Sequence, residues 1–157
     1  MSASIDRVRQ AAREAGLEIE VVAFPEAVRT ATQAAEAVGC EVSRIVKSLV
    51  FVVGEEHVMA LVPGDKRLDT VKLATAAGHG EGAARASLDD VRAVTGFVAG
   101  GTPPFGHTSA IRVFSDVGLR RHEAVWAAAG TPHTVFELRV VDLDRIVRPH
   151  WADLSEG

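Results

Sequence analysis

One cysteine, Cys40, stands in 157 residues, which excludes an internal disulfide and any cysteine-built metal cluster. No apolar run approaches the roughly 20 residues that cross a bilayer. Arg7, Arg9 and Arg13 are interleaved with Asp6 and Glu14 and lead into no signal-peptide core, so the expected location is cytoplasmic, with no membrane partner. The six histidines form no HxxxH or HExxH pair, and no metal or other cofactor is expected. GxSxG, Walker and GxGxxG motifs are missing, as are repeats, low-complexity tracts and linkers. Net charge is −4 with a pI near 5.8. That argues against broad nucleic-acid binding, DNA included, but leaves room for a short contact with one end of an RNA. Lysine is scarce too: Lys47, Lys66 and Lys72 are the only lysines among 17 basic residues, so each position draws attention.

What is present reads as one α+β domain over 1–157, a mixed α/β fold long enough for a real core. A helix is expected over 4–15, capped by Ser4 and stopped by Gly16, then a strand over Leu17–Phe24 ending at Pro25. Residues 30–38 read as a helix closed by Gly39. Cys40 then sits just past a helix C-terminus, where the dipole disfavours a thiolate, so a nucleophilic Cys40 is not expected. Ile45–Val53 and His57–Val62 form a hairpin through Gly54-Glu55-Glu56. Helices over Asp69–Ala77 and Leu88–Thr95 follow, then strands over Ile111–Phe114, His122–Ala128 and His133–Leu138, and a helical turn over Asp142–Val147.

Two features stand out against that background. Gly100-Gly101-Thr102-Pro103-Pro104-Phe105-Gly106-His107 packs three glycines and two prolines into eight residues, which makes a stiff, defined loop. It is either a tight connection between elements or a backbone cradle for a carbonyl, carboxylate or phosphate. Lys47 shares a strand face with Ile45, Leu49, Phe51 and Val53. It either snorkels from the strand end or lines a cavity as an anion-binding cation. His133 lies in another stiffened turn, Gly130-Thr131-Pro132-His133, while His57 and His150 read as surface residues.

Three segments in order, Ile45–Phe51 (IVKSLVF), Gly100–Gly106 (GGTPPFG) and Ala128–His133 (AAGTPH), resemble the YbaK/prolyl-tRNA-synthetase editing-domain family of aminoacyl-tRNA deacylases. The similarity runs from about Phe24 to Val147. It implies a curved, largely antiparallel sheet flanked by helices and walling a pocket for the 3′ CCA end of a mischarged tRNA. By the same resemblance Lys47 contacts the terminal phosphate or ribose, and Gly100 and Gly101 hold the aminoacyl ester. Thr102, Pro104, Phe105, Gly106, His107, Thr131 and His133 contact substrate, without a metal or a protein nucleophile. Members acting on cysteinyl-tRNA typically carry serine where Pro103 stands and a GKRG-like turn where Gly130–His133 stands, so no amino acid is assigned. With no synthetase body attached, a free-standing editor is expected, with an aminoacyl-tRNA synthetase as a candidate partner. A non-catalytic nucleotide-binding or regulatory protein on the same fold is the alternative.

Overall fold

The apolar run at the centre of the chain becomes a hairpin of Val46–Val53 (β2) and Glu56–Pro63 (β3), paired from Val46–Pro63 to Val53–Glu56. The computed structural model describes residues 2–24, 28, 30–80 and 82–157. β3 is buried on both faces, with Val58, Met59, Ala60, Leu61 and Val62 all sealed from solvent, as befits the middle of a mixed sheet. Arg112–Asp116 (β5) lies parallel to β3, and His150–Ala152 (β8) lies parallel to β5. Ala83–Arg85 (β4) pairs antiparallel with β2, but only at residues 51–53. The sheet order is therefore β4-β2-β3-β5-β8. A second, antiparallel sheet comprises Val21–Ala23 (β1), Thr134–Arg139 (β7) and Ala124–Ala128 (β6), in the order β1-β7-β6. An isolated parallel bridge, Ile45 to Trp126, joins the two sheets. Among the described residues four of the six strand pairings are antiparallel, so the α+β expectation and the largely antiparallel pattern hold.

Helices cover the sheets on the faces that period-2 alternation leaves apolar. Ala3–Glu14 (α1) and Leu88–Thr95 (α4) pack with Val46, Val50, Phe105, Val125 and Phe136 into the core between the sheets. Thr70–Ala77 (α3) covers Phe51, Val53, Val58 and Ala60 on the opposite face. Ala31–Val38 (α2) lies over Ile45 and Val135 at the seam, and Val140–Val147 (α5) follows β7. Thr30, Asp69 and Ser87 cap their helices by accepting from backbone N–H groups, as their residue types favour.

The differences from expectation are local. Ser2, not Ser4, caps α1, because its hydroxyl accepts from the Ser4 amide. The expected strand over Leu17–Phe24 shortens to β1, since the Leu17 amide is spent closing α1 onto the Ala12 carbonyl (2.8 Å). Pro25, expected to end that strand, lies outside the described residues. Residues 117–121 form a short 3₁₀ helix closed by the His122 amide on the Leu119 carbonyl (3.3 Å), and the strand expected from His122 starts at Ala124. The turn expected at Asp142 is a full helix from Val140. Strands β4 and β8 have three residues each, too short for periodicity to show.

At the hairpin turn, Glu56 accepts two hydrogen bonds from Arg112 (2.7 and 2.6 Å) and one from His79 (3.3 Å). The Arg112 hydrogen bonds pull its carboxyl down to about 2 from the ordinary 4.5, against a smaller opposing effect of burial. An acid whose folded value is depressed stabilises the fold above its unfolded pKa and loses that contribution as pH falls through the folded one. The expected result is that Glu56→Gln lowers the melting temperature at neutral pH, with a cost of about 1 kcal/mol because solvent screens a side chain this exposed. The gap to wild type should close between pH 4.5 and about 2. A gap independent of pH across that window overturns the assignment.

Candidate active site

The cleft of interest opens at the seam between the two sheets. Because β4 covers β2 only at 51–53, residues 46–49 have no strand beside them on that edge, among the described residues, beyond the Ile45–Trp126 bridge. The Ala86 amide donates to the Val50 carbonyl (3.0 Å), which fixes the direction of the even-numbered backbone groups of β2. Ser48 has the same parity, so its N–H and C=O point outward along the uncovered edge. The resulting cleft is about 250 Å³. Ile45, Trp126 and Val135 are among its apolar lining, Lys47 and Arg85 are its cations, and Gly100, Thr102 and Pro132 line it from the two stiff loops.

Lys47 is half-buried and donates from Nζ to the Lys66 carbonyl (2.5 Å). Its pKa is lowered, first by desolvation and then by the nearby Arg85 and Arg67, with Asp65 opposing them. No carboxylate lies within ion-pair distance of Lys47 or Arg85 among the described residues. Two cations lining one largely apolar cleft suit an anionic group on a ligand.

The remaining expected residues divide sharply. Gly100 (φ +84°) and Thr102 line the cleft, and the Thr102 hydroxyl is tied to the Val98 carbonyl (3.0 Å). Gly101, expected with Gly100 to hold the aminoacyl ester, donates its amide to the Val98 carbonyl (3.0 Å) and turns toward Thr131. A Cβ on Gly101 would stand 2.7 Å from Thr131 Cα. This residue is a glycine because the two stiff loops touch there, and they are laced further by the Gly130 amide donating to the Gly101 carbonyl (3.0 Å). Pro104 and Phe105 are buried in the core, Phe105 meeting Phe136 edge-on at 5.7 Å. Gly106 packs on Ala11, and His107 turns back to bond the Pro103 carbonyl from Nε2 (2.7 Å). Burial lowers the His107 pKa. The Thr131 hydroxyl meets that of Thr134 (2.8 Å), while the His133 ring is exposed and its carbonyl accepts from Phe24 (2.8 Å). Pro104, Phe105, Gly106, His107, Thr131 and His133 thus lie around the cleft rather than along its lining.

The sequence reading passed over Arg85, Trp126, Thr134 and the uncovered backbone at Ser48. Arg85 carried no signal because it sits on a three-residue edge strand, and Ser48 none because an open strand edge is a property of pairing. Two other places invite chemistry less well. A shallower depression of about 430 Å³ by Glu56, His57 and Arg112 has its charges already paired to one another and to His79 and Asp90. Ser43 Oγ meets His122 Nε2 at 2.9 Å, but neither residue lines the cleft. Among the described residues no group of three or more metal-ligating side chains comes together, and no helix is long and apolar enough to cross a membrane.

Residues 25–146, which contain every wall of this cleft except Phe24, match the family described as "Aminoacyl-tRNA editing domain". The chain belongs to that family. It is 32% identical over 134 residues to a protein of Enterococcus faecalis named "Putative Cys-tRNA(Pro)/Cys-tRNA(Cys) deacylase EbsC", covering 85% of this chain and 81% of that one. It is 31% identical over 148 residues to a proline–tRNA ligase of Lactobacillus acidophilus, covering 92% of this chain but 25% of the ligase. The chain therefore spans about a quarter of the ligase's length. A solved structure described as "a putative trans-editing enzyme for prolyl tRNA synthetase" superposes with a TM-score of 0.93 at 40% identity, over 100% of this chain and 99% of that one. Within this editing-domain fold, the cleft at the seam is where Lys47 and the glycine-rich loop meet.

Proposed function

We propose that this chain is an aminoacyl-tRNA deacylase acting in trans, hydrolysing the ester that joins a wrong amino acid to the 3′ end of a tRNA. The observation that carries the reading is the meeting of Lys47 with Gly100 and Thr102 in one cleft of an editing-domain chain. In the reaction, water oxygen bonds to the ester carbonyl carbon, the bond from that carbon to the ribose oxygen breaks, and the ribose oxygen takes up a proton. The products are a free amino acid and an uncharged tRNA.

Each wall has a part in that chemistry. The compact ammonium of Lys47, with Arg85 beside it, takes the terminal phosphate or ribose of the CCA end. The uncovered backbone of Ser48 and the rim at Gly100 hold the aminoacyl group, while Ile45, Trp126 and Val135 receive its side chain. The hydroxyls of Thr102 and Thr134 are engaged with the protein, and by the family resemblance the water is positioned by backbone and by the adenosine's own hydroxyl. A synthetase that releases the mischarged tRNA is the natural partner.

The test is a panel of mischarged tRNAs incubated with the protein, counting which lose their amino acid. Discharge of one or a few is expected, and an inert protein across the whole panel sinks the reading. On the best substrate, Cys40→Ala and an added chelator should each leave the rate unchanged. Cys40 lies outside the cleft lining, and burial pushes its thiol up. A rate that falls under either condition identifies a missed nucleophile or metal.

A further inference from the structure

Helix α1 lies ahead of the matched residues 25–146, yet it backs both site loops. The Ser4 carbonyl lies 2.8 Å from where a Cβ on Gly130 would stand, and Gly130 has φ of +106°. Ala11 Cβ lies 3.0 Å from the corresponding position on Gly106. The Arg7 guanidinium fills the space a side chain at Gly96 would need and stacks on the Phe97 ring, 4.3 Å from its centre. Phe97 is buried and meets the His107 ring edge-on at 6.5 Å, and His107 bonds the Pro103 carbonyl at 2.7 Å. Contacts therefore run without a gap from α1 through Arg7, Phe97 and His107 to the loop whose Gly100 and Thr102 line the cleft.

Arg7 is set apart from its neighbours on the helix. Arg9 pairs with Asp6 and Arg13 with Glu18, whereas no carboxylate lies within ion-pair distance of Arg7 among the described residues. Its guanidinium plane is committed to the ring. The two loops that α1 touches are also laced to each other, through the Gly130 amide on the Gly101 carbonyl. Because Pro103 and Pro104 stiffen the first loop, a shift of His107 moves Thr102 and Gly100 with it.

We propose that α1 is a positioning element of the cleft and that Arg7 is a positioning residue, acting through Phe97 and His107 on the 100–107 loop. The predicted effect on rate rests on the deacylase reading above; the predicted effect on loop order does not. The experiment makes Arg7→Ala in the full chain and measures three things: single-turnover deacylation with enzyme in excess, the melting curve, and hydrogen exchange at the Gly101 and Gly130 amides. The expected result is a rate about tenfold lower at saturating enzyme, part of the roughly hundredfold that a 1 Å misplacement costs. The half-saturating enzyme concentration should change little, because Lys47 and Arg85 remain. Exchange should quicken at Gly101 and Gly130 with the β3 amides unchanged, and millimolar ethylguanidinium should restore the rate. A variant with wild-type rate and wild-type exchange overturns the proposal, as does a slow variant whose β3 amides open equally. If the wild-type chain discharges no tRNA, the deacylase reading falls, and loop exchange alone decides: local acceleration supports the positioning role and none overturns it.

Discussion

Lys47→Ala is expected to lower single-turnover deacylation by about 10- to 150-fold, the kinetic equivalent of losing one charged hydrogen bond worth roughly 1.5–3 kcal/mol. The ammonium is half-buried in the cleft wall and has no carboxylate within ion-pair distance among the described residues, so its loss removes an anion-binding group without opening a hole in the core. The melting curve should move little, since the fold gives up a single hydrogen bond, the one to the Lys66 carbonyl. Lys47→Arg should also be slow. Its planar fork keeps the charge but cannot occupy the place of a compact ammonium between the Lys66 carbonyl and the cleft. Unchanged rate in the alanine variant, on the best tRNA of the panel, removes Lys47 from the site.

Gly101→Ala is expected to damage both the fold and the rate, while Gly100→Ala is expected to be mild. A Cβ at 101 would lie 2.7, 2.8 and 2.9 Å from Thr131 Cα, C and N, all backbone atoms that cannot swing aside. Overpacking of this kind costs about 1–3 kcal/mol. The relief available is to part the two laced loops, and a rim displaced by about 1 Å costs on the order of a hundredfold in rate. At 100 the nearest atom is Pro132 Cγ at 4.0 Å, so only the left-handed backbone is strained, at about 1 kcal/mol. Melting curves and single-turnover rates of the two variants, measured side by side, check the contrast. Equal effects would return the Gly101–Thr131 approach to ordinary packing.

These outcomes bear on why the site is only half legible in the chain. The odd residues of the central strand share one face, so Lys47 can be placed with Leu49 and Phe51 from alternation alone, and the cleft is where it lies. The glycine-proline loop announces itself by composition, because few other residue types tolerate such a backbone. What composition cannot say is which glycine faces the cleft. Gly100 and Gly101 are neighbours of one type, and only the approach of Thr131 from thirty residues on makes one a rim and the other a seam. His107 reads as a ligand-binding ring, and only the fold shows its Nε2 bonded to the Pro103 carbonyl four residues back.

Local order along the chain is enough to set the α+β class, the hairpin at the centre, the helices with capping residues at their starts, and the two stiff loops. Those follow from periodicity and from the dihedral limits of glycine and proline, which act within a few residues. Folding in three dimensions was needed to settle that a five-stranded and a three-stranded sheet meet at the Ile45–Trp126 bridge, that β4 stops short and leaves Ser48 uncovered, and that Arg85 lines the same cleft as Lys47. Each of these depends on which distant segments pair or pack. Three residues of edge strand or one arginine on a helix carry no local pattern from which such a partner can be read.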